Sequence, residues 1–188
     1  MIPFFSQKRE NIFLKKKNSQ LFNKVLLSGK VLQGPSVVKL ENKLSKIYNR
    51  KYSICVASCT DALYFSLISL GISSKDEVLV TNFSYIASAS SIVRVGAKPI
   101  FVDIEEDFNM SLNHAEKLIT KKTKALIYVH LFGKQGPLEK LRKFCKINKI
   151  KLIEDIAQTF GSSKDLKKAG NIGEVACVSF DPTKTISA

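Results

Sequence analysis

Three short stretches of this sequence, and one lone aromatic, carry residue types whose chemistry can be followed. Lys184 closes Ser179-Phe180-Asp181-Pro182-Thr183-Lys184, a strand-like run ending in a turn stiffened by proline. An amine held at a strand end is a candidate for Schiff-base formation with a carbonyl, although taken alone it is one lysine among many. Asp155 follows Lys151-Leu152-Ile153-Glu154 at the end of another apolar run. A carboxylate there is partly desolvated and needs a cation or several donors. A protonated pyridine nitrogen would serve; so would a helix cap or a structural ion pair. Gln158 lies three residues on and shares a face with Asp155 if a helical turn begins there. Ser58-Cys59-Thr60-Asp61 sits where a strand feeds a helix, so its small polar residues cap the helix and free N–H groups can hold a phosphate. Plain N-capping is the simpler account of these four residues alone, and the glycines and Gly-Lys of a Walker loop are absent. Tyr85, in Asn82-Phe83-Ser84-Tyr85, can stack on a flat ring or merely pack.

These side chains matter only if the fold gathers them. From Tyr52 onward, short β-branched runs alternate with longer amphipathic stretches. Strands are expected at Ser53–Ala57, Glu77–Thr81, Pro99–Val102, Ala125–Val129, Lys151–Glu154 and Val175–Phe180. Helices are expected at Asp61–Leu70, Ile86–Val95, Leu112–Ile119 and Leu138–Asn148. Such alternation predicts an α/β fold, a mostly parallel sheet covered by helices on both faces. Ligands bind beyond the carboxyl ends of the strands in such sheets. The stretches named above fall there, as do Asp103 and His130-Leu131-Phe132-Gly133. Before this rhythm the spacing predicts a helix over Ser19–Ser28, closed by Gly29, and then a turn at Gln33-Gly34-Pro35. Val37, Leu40, Leu44 and Ile47 then recur at helical spacing.

Composition narrows the classes. Of 188 residues, 45% are hydrophobic and 24% charged, which is ordinary globular usage. No apolar run is long enough to span a bilayer, and the first residues lack the pattern of a signal peptide. A cytoplasmic protein without a membrane partner is expected. The four cysteines (Cys55, Cys59, Cys145, Cys177) form no CxxC pair, and neither His114 nor His130 stands at a zinc-like spacing from one, so reduced thiols and no metal are expected. The net charge of +14 fits either a nucleic-acid surface or anionic metabolites. The lysines are dispersed and no aromatic residues interleave with them, which argues against nucleic acid. Lys15-Lys16-Lys17 reads as a solvated face or an arm.

Taken in order, the motifs resemble the DegT/DnrJ/EryC1/StrS aminotransferases, fold type I enzymes dependent on pyridoxal 5'-phosphate (PLP). The pieces are Ile2-Pro3-Phe4, Gln33-Gly34-Pro35, Leu40-Glu41, Ser58-Cys59-Thr60-Asp61-Ala62-Leu63, Leu70-Gly71-Ile72, Asp76-Glu77-Val78, Gly96-Ala97-Lys98-Pro99, Phe101-Val102-Asp103-Ile104, Val129-His130-Leu131-Phe132-Gly133, Ile153-Glu154-Asp155-Ile156-Ala157-Gln158 and Ser179-Phe180-Asp181-Pro182-Thr183-Lys184. Each is weak alone, and the ordered set is specific.

The resemblance implies that Lys184 carries PLP as a Schiff base and later shuttles a proton. It implies that Asp155 pairs with the pyridinium nitrogen, Gln158 meets the ring hydroxyl region and Tyr85 stacks on the ring. Cys59, Thr60 and Ser179 would hold the phosphate, with the Asp61 N–H as a fourth donor. It further implies amination of a nucleotide-linked keto-sugar, glutamate as amino donor, a homodimer, and a place in surface-polysaccharide or lipopolysaccharide synthesis. Related sugar dehydratases carry histidine at the lysine position, so Lys184 argues against them. Residues 1–35 become an N-terminal arm and helix, and residues 36–188 an incomplete aspartate-aminotransferase-like large domain. The chain departs from the family in having Cys59 where glycine is common, and Thr185-Ile186-Ser187-Ala188 where a glycine-containing stretch is frequent. Family members continue well past this point, so the chain alone is expected to be truncated and inactive. The competing reading is a non-catalytic remnant of such an enzyme.

Overall fold

The computed structural model describes residues 6–164 and 167–186. Ile2-Pro3-Phe4 and Ser187-Ala188 lie outside the described residues. The chain falls into two compact units that divide between Cys55 and Val56.

The first unit holds two helices. Helix α1 (Lys8–Leu27) is twice as long as the expected Ser19–Ser28, and Lys15, Lys16 and Lys17 lie exposed along it. The expected glycine stop is present: Gly29 takes a φ of +65°, and its N–H donates to the Leu26 carbonyl. Helix α2 (Pro35–Ile47) begins on a proline, whose missing N–H costs nothing in a first turn, and buries Leu44. The Glu41 carboxylate accepts the Cys55 N–H at 2.8 Å.

The second unit is a sheet between helices. Its elements are α3 (Cys59–Ser69), β1 (Glu77–Thr81), α4 (Ala87–Arg94), β2 (Lys98–Val102), α5 (Leu112–Leu118), β3 (Thr123–Val129), α6 (Leu138–Asn148), β4 (Lys151–Asp155), the hairpin β5 (Ser163–Lys164) and β6 (Lys167–Lys168), and β7 (Val175–Cys177). Strands pair in the order β2-β1-β3-β4-β7, all parallel. Both faces of the central strands are apolar, as a sheet covered on two sides requires. Val78, Val80, Ala125, Ile127, Val129 and Ile153 pack on one face with Leu63 and Leu67 of α3 and Ile92 of α4. Leu79, Leu126, Tyr128 and Leu152 pack on the other with Ala115 of α5 and Leu141 and Cys145 of α6. This is the three-layer α-β-α arrangement expected.

Two strand assignments change. Residues 53–57 join no ladder among the described residues, and a strand exists only through its partners. The last strand stops at Cys177 instead of Phe180, where pairing with β4 ends at Asp155. The β5–β6 hairpin was unforeseen, because two-residue strands carry no periodicity.

One buried carboxylate ties the fold together beneath the site. Glu154 is fully buried and accepts backbone N–H groups of Gly170 (2.8 Å), Ile172 (2.9 Å) and Gly173 (2.7 Å). His130 Nε2 lies 3.3 Å away. The Gly136 N–H donates to His130 Nδ1 at 3.1 Å, so the neutral ring carries its proton on Nε2 and donates it to Glu154. Glycine is required at 136, since a Cβ there would lie 2.4 Å from the Tyr128 ring.

Burial pushes Glu154 upward, but the bonds from His130, Gly173 and Gly170 outweigh it and hold the carboxyl below its usual range. A depressed carboxyl stabilises the fold above the unfolded value of about 4.3 and loses that contribution as pH falls through the lower folded value. Replacing Glu154 with Ala orphans three backbone donors, two of them buried, and should cost the intact protein about 3–5 kcal/mol in urea unfolding near neutral pH. The gap from wild type should shrink below about pH 4. A loss under about 1 kcal/mol would show that the loop finds other acceptors.

Candidate active site

The order β2-β1-β3-β4-β7 reverses direction at β1: the chain leaves it outward to β2 and returns on its other side as β3. The crevice beyond the carboxyl ends of β1 and β3 is where such sheets bind ligands. Loops from four strands meet there. The Phe132 N–H, after β3, donates to Gln158 Oε1, after β4, at 3.1 Å. A backbone N–H can only donate, so this contact fixes the amide and leaves the Gln158 NH2 to donate elsewhere. Phe83, Phe108 and Phe132 follow β1, β2 and β3 and place their ring centres 5.8–6.3 Å apart.

Asp155 ends β4 and points to the face that carries α4. Its Oδ2 accepts from Ser88 Oγ at 3.1 Å and its Oδ1 from the Ala157 N–H at 3.1 Å. Burial raises its pKa, against the opposing pull of those two donors and, after them, of His130 and Lys184 nearby. An acid raised in this way destabilises the fold at neutral pH, where it must ionise in a dry place, and either a proton or a bound cation relieves the cost. Both hydrogen-bond donors are neutral. The carboxylate is thus oriented but lacks a hydrogen-bonded cation among the described residues.

Lys184 is half-buried in a short turn that its own N–H closes on the Asp181 carbonyl at 2.9 Å. Asp181 Oδ1 accepts both the hydroxyl (2.5 Å) and the N–H (2.9 Å) of Thr183, and those bonds hold its carboxyl below the usual range. The same ammonium acts on Cys59, so Lys184, Asp155 and Cys59 share one neighbourhood.

Helix α3 points its N-terminus at this neighbourhood. Ser58 caps it, its Oγ accepting the Asp61 N–H at 3.1 Å. The expected fourth phosphate donor is therefore already engaged, and the Asp61 side chain is bound to Arg94 at 2.7 Å. The Cys59 and Thr60 N–H groups of the first turn stay outside the helical bonding and have no hydrogen-bond acceptor among the described residues. Burial, then the negative charge of Asp155, pushes the Cys59 thiol far above its ordinary range, so it stays neutral. Ser179, buried two residues past β7, accepts the Asp181 N–H and keeps its hydroxyl proton to donate. Packing against α3 brings that strand in: Ser66 Oγ lies 3.4 Å from Cys177 Sγ.

Tyr85 stands apart, a residue 70% exposed whose ring makes no ring contact among the described residues. Ser88 was not foreseen from the sequence; it lies on the buried face of α4 with Ala87, Ser91 and Ile92, and Ser84 precedes the helix in a bend. The donor set suits PLP: an oriented buried carboxylate lacking a cation, an amine beside it, and neutral N–H and hydroxyl donors at a helix N-terminus.

Comparison with known proteins agrees. The model of the DegT/DnrJ/EryC1/StrS aminotransferase family matches residues 13–188. UDP-2-acetamido-2-deoxy-3-oxo-D-glucuronate aminotransferase of Pseudomonas aeruginosa is 36% identical over 99% of this chain and 52% of its own length. The crystal structure of DesV from S. venezuelae in complex with a ketimine intermediate superposes with a TM-score of 0.95 at 32% identity, covering 99% of this chain and 50% of DesV. The Streptococcus pneumoniae protein Spr1654 in its PLP form gives a TM-score of 0.79 at 34% identity, over 87% of this chain and 46% of that one. The chain spans about half the length of the proteins it matches. The family's cofactor is PLP. By the reach of that match, the chain belongs to the DegT/DnrJ/EryC1/StrS aminotransferase family.

Proposed function

We propose that this chain supplies the PLP site of an aminotransferase acting on a nucleotide-linked keto-sugar. The observation that carries the reading is Asp155: a fully buried carboxylate, gripped by two neutral donors and facing the neighbourhood of Lys184. A protonated ring nitrogen is the cation it lacks. When bound, PLP supplies an aldehyde carbon for amine exchange and a protonated ring that withdraws electrons from the reacting carbon.

In this reading Lys184 carries the cofactor and, once released, moves the proton between the substrate carbon and the cofactor. Asp155 keeps the ring nitrogen protonated. The Gln158 NH2 donates to the ring hydroxyl oxygen, and Tyr85 covers a ring face. The Cys59 and Thr60 N–H groups and the Ser179 hydroxyl hold the phosphate, beside a thiol whose neutrality avoids repelling it. The keto-sugar substrate is drawn from relatives such as the Pseudomonas enzyme. Glutamate as donor, a homodimer, a cytoplasmic setting and a polysaccharide or lipopolysaccharide product rest on the family resemblance.

Borohydride reduction of the intact protein with PLP, followed by peptide mapping, should place the label on Lys184. A label on another lysine would sink the assignment, and no label at all would favour a non-catalytic remnant.

Replacing Asp155 with Asn should leave Lys184 able to carry the cofactor. Transamination should nevertheless slow by at least about tenfold, the equivalent of about 1.4 kcal/mol of barrier. A smaller effect in single-turnover kinetics would make Asp155 a structural residue only.

A further inference from the structure

Beyond the side chains that would touch PLP lies a buried chain of hydroxyls. Ser88 sits in the first turn of α4, almost wholly buried, and its Oγ donates to Asp155 Oδ2 at 3.1 Å. Its Oγ also lies 3.2 Å from Ser84 Oγ. A serine hydroxyl has one proton, and an ionised carboxylate can only accept, so that proton goes to Asp155. Ser84 must then be the donor to Ser88. The order is Ser84 to Ser88 to Asp155, with the Ala157 N–H holding the other carboxylate oxygen.

Each bond restricts the next. Ala157 and Ser88 grip the two oxygens from different elements, the loop after β4 and helix α4. The carboxylate cannot turn about its last torsion without losing one of them. Ser84, donating to Ser88, orients the Ser88 hydroxyl toward the acid. A hydroxyl inside an apolar helix face that includes Ala87 and Ile92 costs free energy unless it is bonded. Packing alone would be served by alanine.

We infer that Ser88 is a positioning residue of the cofactor site, its hydroxyl holding the Asp155 carboxylate in the orientation that meets the pyridinium nitrogen of PLP, with Ser84 orienting that hydroxyl in turn. The inference rests on the reading of Asp155 given above. It assigns Ser88 no contact with cofactor or substrate.

The test is a double-mutant cycle on PLP affinity, measured by fluorescence titration of the intact apoprotein carrying S88A, D155A or both. Hydrogen bonds to charged groups are worth enough that S88A should weaken PLP binding by at least about tenfold. In the D155A background the same change should matter by less than about twofold, because the group it positions is gone. Thermal melting of the apoproteins separates a folding defect from a site defect: a structural role would lower affinity equally in both backgrounds and would overturn the inference. S88A binding PLP like wild type would overturn it as well. If D155A itself binds PLP like wild type, the underlying reading of Asp155 fails; if D155A is weakened and S88A is not, only the role of Ser88 fails.

Discussion

Two adjacent carboxylates at the end of β4 are out of water, and the site depends on how differently they are treated. Successive residues of a strand point to opposite faces, so Glu154 and Asp155 enter opposite layers of the molecule. Glu154 enters the layer of Tyr128 and Leu152, where three backbone N–H groups and His130 surround it. Asp155 enters the layer of Ile153 and α4, where two neutral donors orient it. The first is held ionised and structural. The second has its pKa raised and is open to a cation.

That asymmetry converts fold stability into binding. A buried carboxylate without a cation weakens the protein at neutral pH, and a ligand that brings the positive charge recovers the deficit on binding. Glu154 makes the arrangement affordable: by tying the 170–173 loop to β4, it anchors the segment leading to β7 and to the turn holding Lys184. The acid thus ends β4, and the amine follows β7, its neighbour in the sheet, in the turn beyond Cys177 where the pairing of the two strands stops.

Much of this was legible in the sequence because alternation is a strong signal. Glu77–Thr81 and Leu138–Asn148 were read with their observed bounds, and the other core elements differ by a residue or two at most ends. Residues 53–57 mislead because a β-branched run makes a strand only where a ladder receives it. Helix α1 was read short because its first half has no clean apolar face to mark it: Ile12 and Phe13 are exposed beside Lys15, Lys16 and Lys17. Asp155, Lys184 and Cys59 were legible as residue types after strand-like runs. Ser88 was not, since its importance lies in a contact 67 positions away that no local pattern encodes. The engagement of the Asp61 N–H follows from ordinary capping by Ser58, the simpler account the sequence also offered.

Cys59 shows how a departure from the family pattern is absorbed. Glycine matters at a phosphate loop when the backbone needs a positive φ or when a Cβ would block the approach of the anion. Cys59 needs no such φ: it is the first residue of α3, and the turn into the helix is made by extended Ser58. Its side chain is largely shielded from water and close enough to Asp155 to feel its charge. That neighbour and the burial itself keep the thiol protonated, so the phosphate end gains no negative charge. The cap claims the third N–H of the helix and leaves the first two. A cysteine therefore retains the two backbone donors that a glycine would present here, and the demand for glycine is relaxed because the helix begins at Cys59, two residues before the Asp61 start read from the sequence.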